Sequence, residues 1–228
     1  AEDFYPDIIL QHPGWGSGLF IRDLYPDIPM ISYIEYYEQG IGSNNFFDPL
    51  QKLNFGGLNF SRFYNASYLH AAVDSDWLIC PSHWQASRVP KDFHSKLSVL
   101  HDGIDTDKVT AKRNVVVKFS SGLEFSSDDE IVTYVARGFE TMRGFPTIMA
   151  SLPLILKERP KAHILMIGAD EQAYGNAPGE AKGWKEYMNK YVKYDQSRVH
   201  WLGRLEFSIY LKILNLSSAH IYLTKPFI

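Results

Sequence analysis

"VTYVARGFETMRGF", residues 132–145, is the stretch on which the reading of the fold turns. A run of strand-forming residues ends on Arg137, and six positions later Arg143 precedes Gly144, Phe145 and Pro146. Proline is tolerated in the first turn of a helix, and glycine lets backbone approach closely, so the segment reads as a strand, a loop and a helix start. In an open parallel sheet, ligands gather where strand ends lead into helix N-termini. A helix there would aim free N–H groups and the positive end of its dipole at the loop. Two guanidinium groups beside it would make an anion site, since arginine grips two phosphate oxygens at once and stays charged. The competing reading pairs Arg137 or Arg143 with Glu140 on the surface, where an ion pair contributes little.

Outward from this stretch, short apolar runs alternate with longer segments of helical period, the pattern of a parallel sheet covered by helices. Residues 7–12, 30–37, 77–81 and 97–103 read as strands in the first half, and 130–137, 162–168, 199–203 and 219–224 in the second. Between the second and third strands, Leu58, Arg62, Tyr64, Tyr68, Leu69 and Ala72 recur loosely at helical spacing. Ile148, Met149, Leu152, Ile155 and Leu156 mark a clearer helix, with Pro153 inside it as a kink signal. Phe207, Tyr210, Leu211 and Leu214 mark another. A polar, Ser-rich stretch without sustained period separates the halves. The boundary is expected near residue 112, giving α/β domains over 1–112 and 113–228, with a ligand cleft expected between them.

Composition narrows the function. The chain has 228 residues, 45% hydrophobic and 21% charged, with a formal net charge of -3. That balance gives no support to nucleic-acid binding through a general basic field, so any anion site must be local. One cysteine, Cys80, rules out an internal disulfide and favours a reducing compartment. No run reaches the roughly 18 apolar residues of a membrane span, and the first residues lack a signal-peptide pattern, so a cytoplasmic location is expected. Asn59, Asn65 and Asn215 begin Asn-x-Ser sequons, a pattern common by chance.

"HPGWGSGLF" (12–20) follows the first strand. Gly14, Gly16 and Gly18, with Glu35 about 20 residues on, suggest a dinucleotide loop and a nicotinamide-dependent oxidoreductase. The spacing is G-x-G-x-G rather than G-x-G-x-x-G, and Pro13 and Trp15 crowd the loop, so the glycines equally fit a tight strand-to-helix turn. Trp15 offers a flat apolar platform to a sugar or other acceptor. His12, at the strand end, is the most interesting of the eight histidines, although histidine often serves as a structural hydrogen-bonding partner. Glu35 is the better functional candidate of the acids in "YIEYYEQ". His83, His94, His101 and Cys80 show no zinc spacing, and no protein-bound metal is expected.

The ordered set "HPGWGSGLF", "SYIEYYEQ", "CPSHWQ", "VLHDGID", "YVARGFETMRGF", "RVHWLGRL" and "IYLTKPF" resembles the family-4 glycosyltransferases over nearly the entire chain. The resemblance implies two Rossmann-like domains of GT-B type facing across a cleft, with a nucleoside-diphosphate-sugar donor held mainly by the second. It implies sugar transfer with retention to a glycan or lipid-linked acceptor, as in polysaccharide biosynthesis, without metal or a permanently bound cofactor and with room for peripheral membrane association. Arg137 and the Arg143–Gly144 pair resemble the family's diphosphate-binding residues, although Ala136 and Arg143 replace the usual glycine and lysine. "WLGRL" resembles the base-reading turn, which makes Leu202, Gly203, Arg204 and Leu205 candidates. Glu35 stands where many relatives carry a catalytic histidine; His12 and Trp15 would lie on the acceptor side. The family's N-terminal glycine loop and C-terminal pair of glutamates have no counterpart here. A central segment with poor turnover is therefore expected, and a noncatalytic sugar-nucleotide-binding module is the further alternative.

Overall fold

The computed structural model describes residues 4–40, 55–171, 173, 178–179 and 181–225. The chain divides into two compact units, one ending at Ile104 and one spanning Asp105–Lys225. Residue 112 lies eight positions past that division, where the Lys112 N–H donates to Asn215 Oδ1 at 2.6 Å.

The first unit is a parallel sheet of β1 (Ile9–Gln11), β2 (Met30–Tyr33), β3 (Trp77–Cys80) and β4 (Leu97–Val99), in that spatial order. The single turn α1 (Ile21–Leu24) and the 20-residue α2 (Phe55–Asp74) connect the strands, and the short α3 (His83–Ala86) follows β3. Its core gathers Ile34, Tyr68, Ala72, Leu78, Cys80, Ala86 and Val89. The helical face expected in α2 is only partly right. Tyr68 and Ala72 are buried, but Arg62 and Leu69 are exposed, and Ser61 and Asn65 point inward instead. Asn65 can be buried because its amide clasps a backbone: Oδ1 accepts the Glu38 N–H at 2.9 Å and Nδ2 donates to the Glu38 carbonyl at 2.7 Å.

In the second unit, an antiparallel hairpin of β5 (Val116–Lys118) and β6 (Glu124–Ser126) precedes a parallel sheet. The sheet contains β7 (Ile131–Gly138), β8 (His163–Ala169), β9 (Val199–Gly203) and β10 (Ala219–Ile221), ordered β10-β7-β8-β9. Alternation along the central strands divides the core in two. Val132, Tyr134, Ala136, Ile164 and Met166 pack with α4 (Phe145–Glu158) and with Met188 of α5 (Trp184–Tyr191). Ile131, Leu165 and Ile167 pack with the hairpin's Val117 and Phe125 and with α6 (Phe207–Leu216). In α4 the expected stripe is buried at Ile148, Met149, Leu152 and Leu156, while Pro153 lies on the outward side of a continuous helix. In α6 the deeply buried residues are Ile213 and Leu216, and Phe207 is exposed, so the expected face is displaced.

All eight strands expected from the sequence form, with every strand neighbour in the two larger sheets parallel. The β5–β6 hairpin was not anticipated. Among the described residues, no helix is long and apolar enough to cross a membrane.

Candidate functional site

In the second unit, β7, β8 and β9 deliver their carboxyl ends to one open pocket of about 340 Å³, lined by Val135, Ala136, Arg137, Ile167, Gly168, Arg204, Leu205 and Tyr210. That volume is within the range of small-ligand sites. The floor depends on Gly168: its φ is +143°, and a Cβ would overlap the Ala136 carbonyl oxygen, so the strands approach here only without a side chain. Arg137 is exposed and makes no hydrogen bond or ion pair among the described residues. Leu202 and Leu205 pack partly into the core below, which fixes the Gly203–Arg204 turn at the pocket edge. The Arg204 guanidinium is ion-paired with Glu171, on the loop after β8.

Arg143 is not among the residues lining this pocket. It closes a turn, Thr141–Arg143, whose last carbonyl accepts the Tyr134 hydroxyl at 2.8 Å. Burial raises the Tyr134 pKa, which keeps that hydroxyl a proton donor. Gly144 follows with φ +72° and packs against Leu223, beyond β10. Arg137 therefore serves the β8–β9 flank of β7, while the turn carrying Arg143 leans on the β10 flank. The free amides expected at the start of α4 are also spent. The Phe145 N–H donates to the Glu140 carbonyl at 3.1 Å, Thr147 N–H to the Gly144 carbonyl at 3.0 Å, and Pro146 has no N–H. Glu140 is buried, and its Oε2 accepts the Ala173 N–H at 2.7 Å. What remains for an anion near α4 is the helix dipole.

In the first unit, the strand ends assemble a second polar group. His12 follows β1 directly, and its Nδ1 accepts the Gly14 N–H at 3.3 Å. That bond assigns the ring proton of a neutral imidazole to Nε2, which donates to Glu35 Oε2 at 3.0 Å. His12 and Glu35, singled out separately in the sequence, are thus one half-exposed pair. Tyr33 at the end of β2 donates its hydroxyl to Asp102 Oδ1 at 2.6 Å, and its ring lies 5.8 Å from that of His12. Burial and then the Asp102 bond push the Tyr33 pKa upward. Trp15 projects from the loop at 82% exposure, an apolar plate beside these groups in the chain.

The glycine loop is not shaped as an open phosphate cradle. Pro13–Trp15 form a tight turn capped by the His12 side chain, Gly14 packs under the Tyr68 hydroxyl, and Gly18 lies against the Gln11 amide. The acid that a ribose would need, Glu35, is held by His12. The Tyr33–Asp102 and Arg204–Glu171 pairs were missed from sequence. The signal available for the first was Asp102 in "HDGID" just past a strand; nothing local marks Glu171. Among the described residues, no cluster of three or more His, Cys, Asp or Glu is arranged to hold a metal ion.

Residues 1–109 match the model of the glycosyl transferase family 4 group. No curated protein sequence matches the chain. Among solved structures, the OtsA apo structure aligns with a TM-score of 0.62 at 12% identity, covering 98% of this chain and 54% of that one. A structure described as trehalose-6-phosphate from E. coli bound with UDP-2-fluoro glucose aligns at 0.59 and 12% identity, with 98% and 54% covered. The GtfA/B complex aligns at 0.61 and 10% identity, with 100% and 40% covered. The chain thus spans about half the length of these structures or less. At such identities the likeness is one of fold, the α/β GT-B type.

Proposed function

We propose, from the family-4 glycosyltransferase match over residues 1–109 and the GT-B fold, that this chain is part of a retaining, metal-independent hexosyltransferase that uses a nucleoside-diphosphate sugar. In this reading residues 1–112 form the acceptor side and 113–228 hold the donor. The observation that carries it is the pocket at the ends of β7, β8 and β9, where an exposed Arg137 meets the Gly203–Leu205 turn. The backbone of Leu202 to Leu205 would read the base, and the diphosphate would extend across Arg137 toward Arg143, Gly144 and the positive end of α4.

In the reaction, the bond between the sugar's anomeric carbon and the diphosphate oxygen breaks, and the diphosphate leaves with the electron pair. The acceptor oxygen bonds to the same face of that carbon and passes its proton to an oxygen of the departing diphosphate. Negative charge grows on the diphosphate oxygens as the bond lengthens. Fixed guanidinium groups lower the barrier to the extent that they hold this charge more strongly in the transition state than in the ground state. On the acceptor side, Trp15 would stack on a sugar ring, while the His12–Glu35 pair would orient a hydroxyl. The acceptor would be a glycan or lipid-linked sugar.

The deciding experiment is Arg137→Ala in the full protein carrying this chain, with donor hydrolysis and transfer both followed. The solved structure bound with UDP-2-fluoro glucose makes a UDP-hexose the first donor to try. Turnover is expected to fall about a hundredfold or more, the scale on which a removed electrostatic donor acts. Unchanged rates in a well-folded variant would remove Arg137 from the mechanism.

A further inference from the structure

The donor pocket has two guanidinium groups on its lining, and they are in different states. Among the described residues Arg137 has no acid, whereas Arg204 is ion-paired with Glu171, each side chain being 62% exposed. Glu171 is not there by chance of a loose loop. The Phe139 N–H donates to the Ala169 carbonyl at 3.1 Å before it, and Glu140 Oε2 accepts the Ala173 N–H at 2.7 Å after it. Between these anchors the Glu171 carbonyl rests on Gly138, where a Cβ would overlap it. The backbone of Glu171 is therefore pinned against the end of β7, and its carboxylate reaches the rim of the pocket through Arg204.

We propose that Glu171 is a stand-in anion: it occupies Arg204 while the pocket is empty and is displaced by a phosphate group of the incoming nucleotide, which makes Arg204 a donor-binding residue. This rests on the nucleotide reading of the pocket given above. The exchange is favourable on magnitudes. An exposed ion pair is worth at most about fivefold in an equilibrium constant, because water screens it and two long side chains must be held still. A hydrogen-bonded guanidinium–phosphate contact is worth about tenfold or more, and arginine's fork fits two phosphate oxygens. The carboxylate also repels a diphosphate until it swings aside, so it lowers affinity twice over. Arg204 then divides its duties, with its backbone in the base-reading turn and its side chain on the phosphate.

Calorimetric titration of the chain with UDP, GDP, ADP and inorganic pyrophosphate tests this, using wild type, Glu171→Gln, Arg204→Ala, the double variant and Arg137→Ala. Glu171→Gln is expected to bind nucleotide roughly two- to fivefold more tightly, the affinity that the competing ion pair withholds. Arg204→Ala is expected to bind about tenfold more weakly, and Glu171→Gln should have a clearly smaller effect in its presence, the part due to charge repulsion alone. Equal or weaker binding by a folded Glu171→Gln, with Arg137→Ala still impaired, would overturn the displacement while leaving the pocket a nucleotide site. No binding of any of the four ligands, or binding indifferent to both arginines, would overturn the pocket reading and this proposal with it.

Discussion

Helices α2 and α4 each cover a parallel sheet, and they do so with opposite chemistry. Inward from α2 point Ser61, Asn65, Tyr68, Ala71 and Ala72, while Phe60 and Phe63 stand 58% and 81% exposed. Inward from α4 point Phe145, Ile148, Met149, Leu152 and Leu156. The first unit thus adds directional polar contacts to its apolar core: the Asn65 clasp on Glu38, and a buried Ser32–Ser75 hydroxyl pair at 2.7 Å. The second relies mainly on close packing in its two apolar clusters. The strand ends follow the same division. In the first unit His12 is bonded to Glu35 and Tyr33 to Asp102, whereas the second leaves Arg137 facing solvent. Polar clasps fix a register between particular atoms; packing fixes a floor and leaves the groups above it available to a ligand.

If close packing sets the pocket floor, its tightest point should be the least forgiving position. Gly168→Ala must place a methyl group against the Ala136 carbonyl at a φ of +143°. Backbone strain and overpacking together should cost about 3–5 kcal/mol. Amide exchange followed by mass spectrometry should show β7 and β8 losing protection while β2 and β3 keep theirs. A loss below about 1 kcal/mol would mean that the strands can move apart cheaply and that the floor is not rigid.

The first unit should break elsewhere, at a polar atom rather than at a packed one. Asn65→Ala removes both bonds to the Glu38 backbone in a buried setting, and about 2–3 kcal/mol is the expected loss. The loss should appear as faster exchange in α2 and β2, with the β7–β9 amides unaffected. Replacement of Asn65 by Leu with no loss would show that packing holds both units and would erase the contrast.

The same contrast explains what could be read from the sequence. The central strands β7 and β8 and the helix α4 were legible because burial there follows hydrophobicity. In α2 the buried positions include Ser61 and Asn65, whose partners come from elsewhere in the fold, so the apolar period vanishes. The β5 and β6 strands each span three residues and bury one central side chain, Val117 and Phe125, too little to make a pattern. At the pocket, Arg137 could be named because strand ends are where parallel sheets present their groups, and Arg204 and Leu205 because "WLGRL" resembles the family's base-reading turn. Glu171 could not, since only the fold determines which acid crosses to Arg204. The free amides expected before α4 failed for a local reason: the Glu140 and Gly144 carbonyls turn back and accept them.

The smallest effect concerns pH, and it too should divide the units. On β8 and β9 of the second unit, His163 Nδ1 and His200 Nε2 share a hydrogen bond of 3.0 Å, with the Phe125 ring beside both. Burial first, and the neighbouring His163 second, lower the His200 pKa below its ordinary 6.5. The folded state therefore favours neutral His200, and the unfolded chain takes up the proton first as pH falls. Stability from this group is fully present above pH 6.5 and is lost as pH drops through the lowered value. The ring is only partly buried, so screening should keep the effect under about 1 kcal/mol. Between pH 7 and 5 the β7–β9 amides should lose some protection, and His200→Asn should flatten that slope. An unchanged slope in His200→Asn would assign the acid response to other groups and leave the hairpin's cover over the histidine pair without a role in it.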